Sequence, residues 1–187
     1  YFKKVVMYSR AYSDAELYVL TAGIDTSSFS LDFANGVYKN ASGYIRTNGL
    51  KASDDFTAAA WAKSGGVVFT ADQALAPDGT LTADLYTGAN NYAYFNQAFS
   101  GGSVSGAPYT ASIYVKAGSI AQINIFVGDI TSTNGIQSNF FLTGGGSTGN
   151  LTTVGTGGNA RPSIEALPNG WYRCSLTGSY TGTVVYM

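Results

Sequence analysis

Residues 109–117 read YTASIYVKA, and residues 121–129 read AQINIFVGD. In the first run the odd-numbered residues are apolar or aromatic, and most of the even-numbered ones are polar. The second run continues the alternation with Ile123, Ile125 and Val127. Because successive side chains of a strand point to opposite faces, the pattern predicts two half-buried strands. Two adjacent strands of this kind are typical of an antiparallel sheet with one buried face.

Similar short runs rich in Val, Ile, Thr, Tyr and Phe recur along most of the chain. Clusters of Gly, Asn, Ser and Pro separate them. They predict strands near 44–50, 66–71, 79–87, 91–99, 108–117, 121–129, 137–143, 161–167, 171–178 and 182–187. Residues 144–160 are rich in glycine and predict a flexible hairpin connection. We therefore predict an all-β fold, an antiparallel two-sheet jelly-roll sandwich over residues 44–187.

The N-terminal part of the chain has a different pattern. Ser13-Asp14-Ala15-Glu16 is a capping box and predicts a short N-terminal helix near 13–21. Residues 23–43 are rich in Ser, Asp, Asn and Gly and predict a connector with one short strand. Within the sandwich, Ser53–Lys63 predicts a short helix or helical turn, with Trp61 plugging the core.

Composition excludes several classes of function. The chain has 187 residues, with 10 Lys+Arg, 11 Asp+Glu and no His, so its formal net charge is −1. This balance provides no basic field for nucleic acid. No run approaches the ~20 apolar residues of a membrane span, so we expect no membrane insertion. The single cysteine, Cys174, cannot form an internal disulfide and is interpreted as a core residue.

Catalytic and metal chemistry have few candidate residues. Without histidine, no Ser-His-Asp triad or imidazole metal site can form. The only glutamates, Glu16 and Glu165, lie far apart in the sequence, and a carboxylate pair would be the remaining route to hydrolysis. We predict no enzymatic activity and no cofactor. Asp54, Asp55 and Asp129 are candidate oxygen ligands for a structural calcium.

The strand pattern predicts an outward set of aromatic, amide and cationic side chains. Its members are Tyr114, Lys116, Gln122, Asn124, Phe126, Phe141, Trp171 and Arg173. Aromatic rings stack on sugar rings, and planar amides and guanidinium groups hydrogen-bond to hydroxyls. We interpret the set as a glycan-binding patch shared by strands 109–117, 121–129 and 171–178. With few cations available, a neutral glycan is favoured over an acidic one.

A structural role is the alternative for each of these residues. Trp171, next to Asn169-Gly170, could cover a hairpin end, and Phe126 could pack against a neighbouring domain or subunit. Arg173 and Glu165 could form a cross-strand pair.

Two resemblances add to this interpretation. Residues 8–20, YSRAYSDAELYVL, resemble the closing strand and helical turn of a laminin-G or concanavalin-like lectin domain. This implies that residues 1–22 end a preceding lectin-like domain and that the chain is a segment of a longer polypeptide. Over 44–187, four stretches resemble the carbohydrate-binding-module-like jelly roll of bacteriophage tail fibres. These are residues 56–61, 74–84, 109–118 and 164–175.

The second resemblance implies a setting and partners. It implies a non-enzymatic tail-fibre segment on the virion surface that binds host cell-surface polysaccharide. Copies of the same chain and neighbouring virion proteins would be further partners, with a homotrimer as the expected assembly. Two alternatives remain open at this point. One is a purely structural spacer or decoration domain of the virion, and the other is a binding module of a bacterial extracellular glycoside hydrolase.

Overall fold

The computed structural model describes residues 29–32, 37–40, 45–46, 49–90, 92–99 and 105–182. The predicted helix near 13–21 lies outside these residues, as does nearly all of the predicted strand 182–187. By internal contacts the chain divides into two compact units, residues 1–48 and residues 49–187.

The first unit contains an antiparallel three-stranded sheet. Its strands are β1 (Phe29–Asp32), β2 (Val37–Asn40) and β3 (Ile45–Arg46), in the order β1-β2-β3. Strand β3 comes from the stretch that the sequence assigns to the jelly roll, but it pairs with β2.

The second unit is all-β, as predicted. Its described strands are β4 (Ala62–Ser64), β5 (Val68–Leu75), β6 (Leu81–Thr87), β7 (Tyr94–Asn96), β8 (Pro108–Lys116), β9 (Gln122–Gly128), β10 (Gly135–Phe141), β11 (Ser147–Val154), β12 (Gly158–Ala166) and β13 (Trp171–Ser179). A single 3-10 turn, Pro168–Gly170, lies between the last two.

Two antiparallel three-stranded sheets form a sandwich. Sheet I has the order β12-β13-β8 and sheet II the order β11-β10-β9. The chain passes from sheet I to sheet II after β8 and returns after β11. The main core includes Ala111 and Leu176 from sheet I, and Val127, Ile136 and Phe140 from sheet II. Residues of both sheets share one core, so the prediction of an antiparallel two-sheet sandwich is confirmed.

A second, aromatic core lies where β4, β5, β6 and β7 meet the segment before β4. Its rings belong to Phe56, Trp61, Phe69, Tyr86 and Phe95. Phe69 and Phe95 are edge to face, with ring centroids 5.0 Å apart. Such contacts contribute about 0.5–1.5 kcal/mol per pair beyond area burial. Trp61 is buried as predicted, but in this cluster rather than among the residues of the main core.

Of the short helix or helical turn predicted over Ser53–Lys63, the helix is wrong, because residues 53–61 form turns. Asp55 Oδ1 accepts hydrogen bonds from the amides of Thr57 (2.9 Å) and Ala58 (3.1 Å), which caps one turn. The amide of Trp61 bonds to the Ala58 carbonyl, and strand β4 begins at Ala62. Phe56 and Trp61 both pack into the aromatic core, and this tertiary packing outweighs the helical preference of the intervening alanines.

The flexible connection predicted over residues 144–160 is also wrong. Residues 147–154 form β11, which pairs with β10 along the edge of sheet II. An edge strand with mostly exposed side chains needs little apolar patterning, because the backbone of its neighbour supplies the hydrogen bonds.

Candidate functional site

The predicted glycan-binding residues lie on two opposite faces of the sandwich. Strands β8 and β13 are neighbours in sheet I, whereas β9 and β10 belong to sheet II. The outward side chains of the two sheets point away from each other, because the inward ones share the core between them. The single patch expected across strands 109–117, 121–129 and 171–178 is therefore wrong.

The outer face of sheet II joins four amides and two phenylalanines. We term this the amide face: Gln122, Asn124, Phe126, Gln137, Asn139 and Phe141. In the register of β9 and β10, Asn124 lies opposite Asn139, Phe126 opposite Gln137, and Gln122 opposite Phe141. Asn124 Nδ2 donates a hydrogen bond of 2.8 Å to Asn139 Oδ1. The face therefore carries two amide–ring pairs on either side of a bonded amide pair.

Sequence reasoning missed two members of the amide face, Gln137 and Asn139. Alternation along β10 could have identified them. Gln137 and Asn139 are four and two residues before Phe141, so they lie on the same face as Phe141, which was predicted to point outward.

Both phenylalanine rings on this face pack against glycines. A Cβ built on Gly135 would lie 2.7 Å from Phe126 Cζ, and one on Gly149 would lie 2.6 Å from Phe141 Cε2. These positions cannot carry a side chain without moving the rings. Phe126 is half-buried, and Phe141 keeps 36% of its surface exposed. Phe141 is the more accessible ring for stacking.

The amide face is uncharged. Its members offer both donors and acceptors, since each primary amide has two N–H groups and a carbonyl oxygen. Such groups suit hydroxyl-rich ligands, because every sugar hydroxyl is also both donor and acceptor.

The outer face of sheet I is more polar and carries cations. Arg173 lies opposite Glu165 on β12 and opposite Tyr114 on β8. Its guanidinium carbon is 6.0 Å from the Tyr114 ring centroid, a cation–π contact. Farther along, Thr110 and Thr177 share a side-chain hydrogen bond of 2.8 Å. Arg173 and Glu165 are thus opposite each other in register, as the structural alternative expected, but these two described residues form no ion pair.

Trp171 is not an open stacking platform. Only 8% of its surface is exposed, and its Nε1 donates to the carbonyl of Leu75 at 3.0 Å. The side chain points outward from sheet I, as alternation predicts, but the end of β5 covers it. The expectation of an exposed Trp171 is wrong because the covering residue is distant in sequence.

A cleft lies beside Trp171 at this end of sheet I. It has a volume of about 410 Å³ and brings Lys116 and Trp171 together, which are paired in the β8–β13 register. Its lining consists of Leu75, Ala76, Pro77, Gly79, Lys116, Asn169 and Trp171.

Two of the three aspartates considered for calcium, Asp129 and Asp55, accept hydrogen bonds that stabilise turns. Hydrogen bonds from Asn134, Thr133 and Thr131 lower the pKa of Asp129 well below its usual range. The hydroxyl and amide of Thr57, with the amide of Ala58, lower the pKa of Asp55. Among the described residues, no group of three or more Asp, Glu, Cys or His could hold a metal ion.

Comparison with known proteins does not assign the chain to a family. No protein-family model matches the chain, and no curated protein matches it either. The described part of the chain has no helix of the length and hydropathy needed to span a membrane.

Proposed function

We propose that this chain is a non-enzymatic segment of a bacteriophage tail fibre that binds a neutral glycan of the host surface. The observation that carries the proposal is the amide face of sheet II, with its uncharged amides between two phenylalanines. The virion setting and a homotrimeric assembly rest on the sequence resemblance alone. Light scattering on the intact protein checks the assembly.

The amide face supports weak binding at each site. Its hydrogen-bonding groups stand on two paired strands, and Phe141 is a partly exposed apolar ring beside them. A flat face buries little ligand area, so we expect a dissociation constant near the millimolar range. Repetition of the site in a fibre would raise the overall affinity through multivalency.

A structural spacer is the second candidate, and specific contacts favour it. Asn124 and Asn139 already bond to each other, and the two phenylalanines pack on glycines. Both features can stabilise a sheet surface without any ligand.

Substitutions on the two outer faces separate these candidates. The Asn124→Ala/Asn139→Ala double variant removes the bonded amide pair of sheet II. The matched control, Thr110→Ala/Thr177→Ala, removes a bonded side-chain pair from sheet I. On a neutral-glycan array and in host-cell adsorption, we expect binding to fall about tenfold for the first and less than about twofold for the control.

Two results would support the spacer instead. One is equal binding by the parent and the amide-face variant. The other is absence of any parental binding to neutral glycans or to host cells. Circular dichroism on each variant verifies that the fold is retained.

A further inference from the structure

Two turns form the cleft beside Trp171: the β5–β6 turn and the 3-10 turn before β13. A hydrogen bond from the Trp171 side chain connects them. In the β5–β6 turn, the amide of Ala76 donates to the Thr80 carbonyl at 2.8 Å, and the amide of Gly79 donates to the Ala76 carbonyl at 2.9 Å. The 3-10 turn is closed by the Leu167 amide, which donates to the Trp171 carbonyl at 2.8 Å. The bond from Trp171 Nε1 to the Leu75 carbonyl then connects both turns. The walls of the cleft are therefore pre-formed.

Lys116 is the charged member of the cleft lining. A Cβ built on Gly170 would lie 3.7 Å from Lys116 Cε, so the lysine stem runs past the 3-10 turn. Within the described part of the chain, no hydrogen bond or ion pair engages its ammonium group. Its charge is therefore available to a ligand.

The acidic residue of the β5–β6 turn, Asp78, already accepts hydrogen bonds within the turn. Asp78 stands at the tip of the turn and is not part of the lining. Its carboxylate accepts from the Thr80 amide at 2.9 Å and from the Thr80 hydroxyl at 2.7 Å. These bonds lower the pKa of Asp78 and hold it in the turn, so that it does not pair with Lys116.

The remaining lining combines apolar walls with one amide. Leu75, Pro77 and the largely buried ring of Trp171 are apolar, and Asn169 is exposed in a left-handed conformation with φ of 61°. A ligand that fits has an anionic group, an apolar face and hydroxyls. The volume lies near the lower end of the range for small-molecule sites.

We propose that this cleft is a second carbohydrate site that takes a carboxylate-bearing sugar unit, with Lys116 binding the carboxylate and Asn169 a hydroxyl. The inference rests on the proposed glycan-binding function but uses a different surface and a different ligand charge. It predicts a chain that binds neutral and acidic sugars at opposite faces.

Fluorine NMR of the 5-fluorotryptophan-labelled chain can test this site directly, because the chain has two tryptophans, Trp61 and Trp171. The probes are trigalacturonate and its fully methyl-esterified form, and a Trp61→Phe sample assigns the resonances. We expect trigalacturonate to shift the Trp171 resonance and to leave that of Trp61 in place. The methyl ester should bind about fivefold more weakly, because it lacks the charge that Lys116 recognises.

Two variants that each remove one positive charge from sheet I test the role of Lys116. Lys116→Met should weaken trigalacturonate binding about fivefold, whereas the control Arg161→Gln should change it less than about twofold. Arg161 lies opposite Thr177, which pairs with Thr110 on β8. At the rise of a strand, it is about 20 Å along the sheet from Lys116.

Three outcomes overturn the proposal: an unshifted Trp171 resonance, equal affinity for the ester, or equal losses in the two variants. The last would indicate diffuse charge attraction. Failure of the neutral-glycan test on the amide face would leave a Lys116-dependent shift of Trp171 intact. The two proposals can therefore fail separately.

Discussion

Cys174 lies on β13 with none of its surface exposed, in the main core between the sheets. Burial raises the pKa of its thiol to about 11. Since the thiolate is the reactive form, we expect no reaction with Ellman's reagent at pH 8 in the native protein and one thiol per chain after unfolding in guanidinium chloride. Rapid labelling of the native protein would contradict this placement.

The loss of unfolding free energy on substitution of Cys174 should depend more on the polarity of the new side chain than on its size. Cys174→Ser buries a hydroxyl in an apolar core and should cost about 1–3 kcal/mol of unfolding free energy. Cys174→Ala serves as the control and should cost less, although it removes more volume. Urea unfolding of both variants gives the comparison.

Alternation along single strands predicted the direction of most side chains correctly. Phe141 points outward, as predicted, and its neighbours Phe140 and Leu142 are buried in the main core, as alternation requires. Alternation could not predict what covers an outward residue. The Trp171 indole donates its hydrogen bond to a carbonyl 96 residues earlier in the chain. The sequence pattern around Trp171 does not indicate a contact with such a distant residue.

At the scale of elements, the β9–β10 turn is organised around one carboxylate. Asp129 accepts hydrogen bonds from the Thr133 amide at 2.9 Å and from Asn134 Nδ2 at 2.8 Å. Asn134 Oδ1 in turn accepts from the Thr156 amide, and Thr156 Oγ1 accepts from the Thr181 amide. The network ties this turn to the β11–β12 turn and to the segment after β13.

The lowered pKa of Asp129 makes this network sensitive to acid. A carboxyl with a pKa below its unfolded value stabilises the fold above that unfolded value, near pH 4, and loses the contribution as the pH falls further. Asp129→Asn should lower the urea midpoint at pH 7, and the gap between parent and variant should narrow below about pH 4. Asp54→Asn, at an exposed aspartate, is the control. A gap independent of pH would contradict the role of the charge.

Strands that bury one face were predicted better than strands that are mostly exposed, because burial imposes an alternating apolar pattern on the sequence. Strands β8 and β13 each present one face to the core, and the pattern that this imposes was readable. Strand β11 has little to bury: Leu151 is 45% exposed, and most of its other side chains are exposed too. Its strand conformation comes from pairing with β10. The composition of residues 147–154 alone does not indicate this pairing.

The same limit applied to the candidate site. The sequence identified most residues of the amide face, but it merged them with residues of sheet I. That error arose because β8 and β9 are adjacent in the chain and belong to different sheets. The alternation of apolar and polar residues shows which face of a strand is buried, but it does not show which strands pair in a sheet.

At the scale of the whole molecule, the described members of both cores of the second unit all follow Asn48. The aromatic core uses Phe56 to Phe95, and the main core uses residues up to Tyr180. A fragment of residues 49–187 should therefore fold alone. We expect its near-UV circular dichroism to retain sharp aromatic bands and its Tm to stay within about 4 °C of the matching transition of the full chain, a shift equivalent to at most ~1–2 kcal/mol.

A second fragment decides where the folding unit begins. Residues 44–187 start at the boundary predicted from sequence and include β3, whose pairing partner β2 is then missing. Because Ile45–Arg46 pairs with β2, these extra residues should add no stability, and the two fragments should unfold at the same temperature. A fragment 44–187 that is clearly more stable than 49–187 would show that β3 belongs to the sandwich. Loss of the near-UV bands in both would show that the second unit requires the first in order to fold.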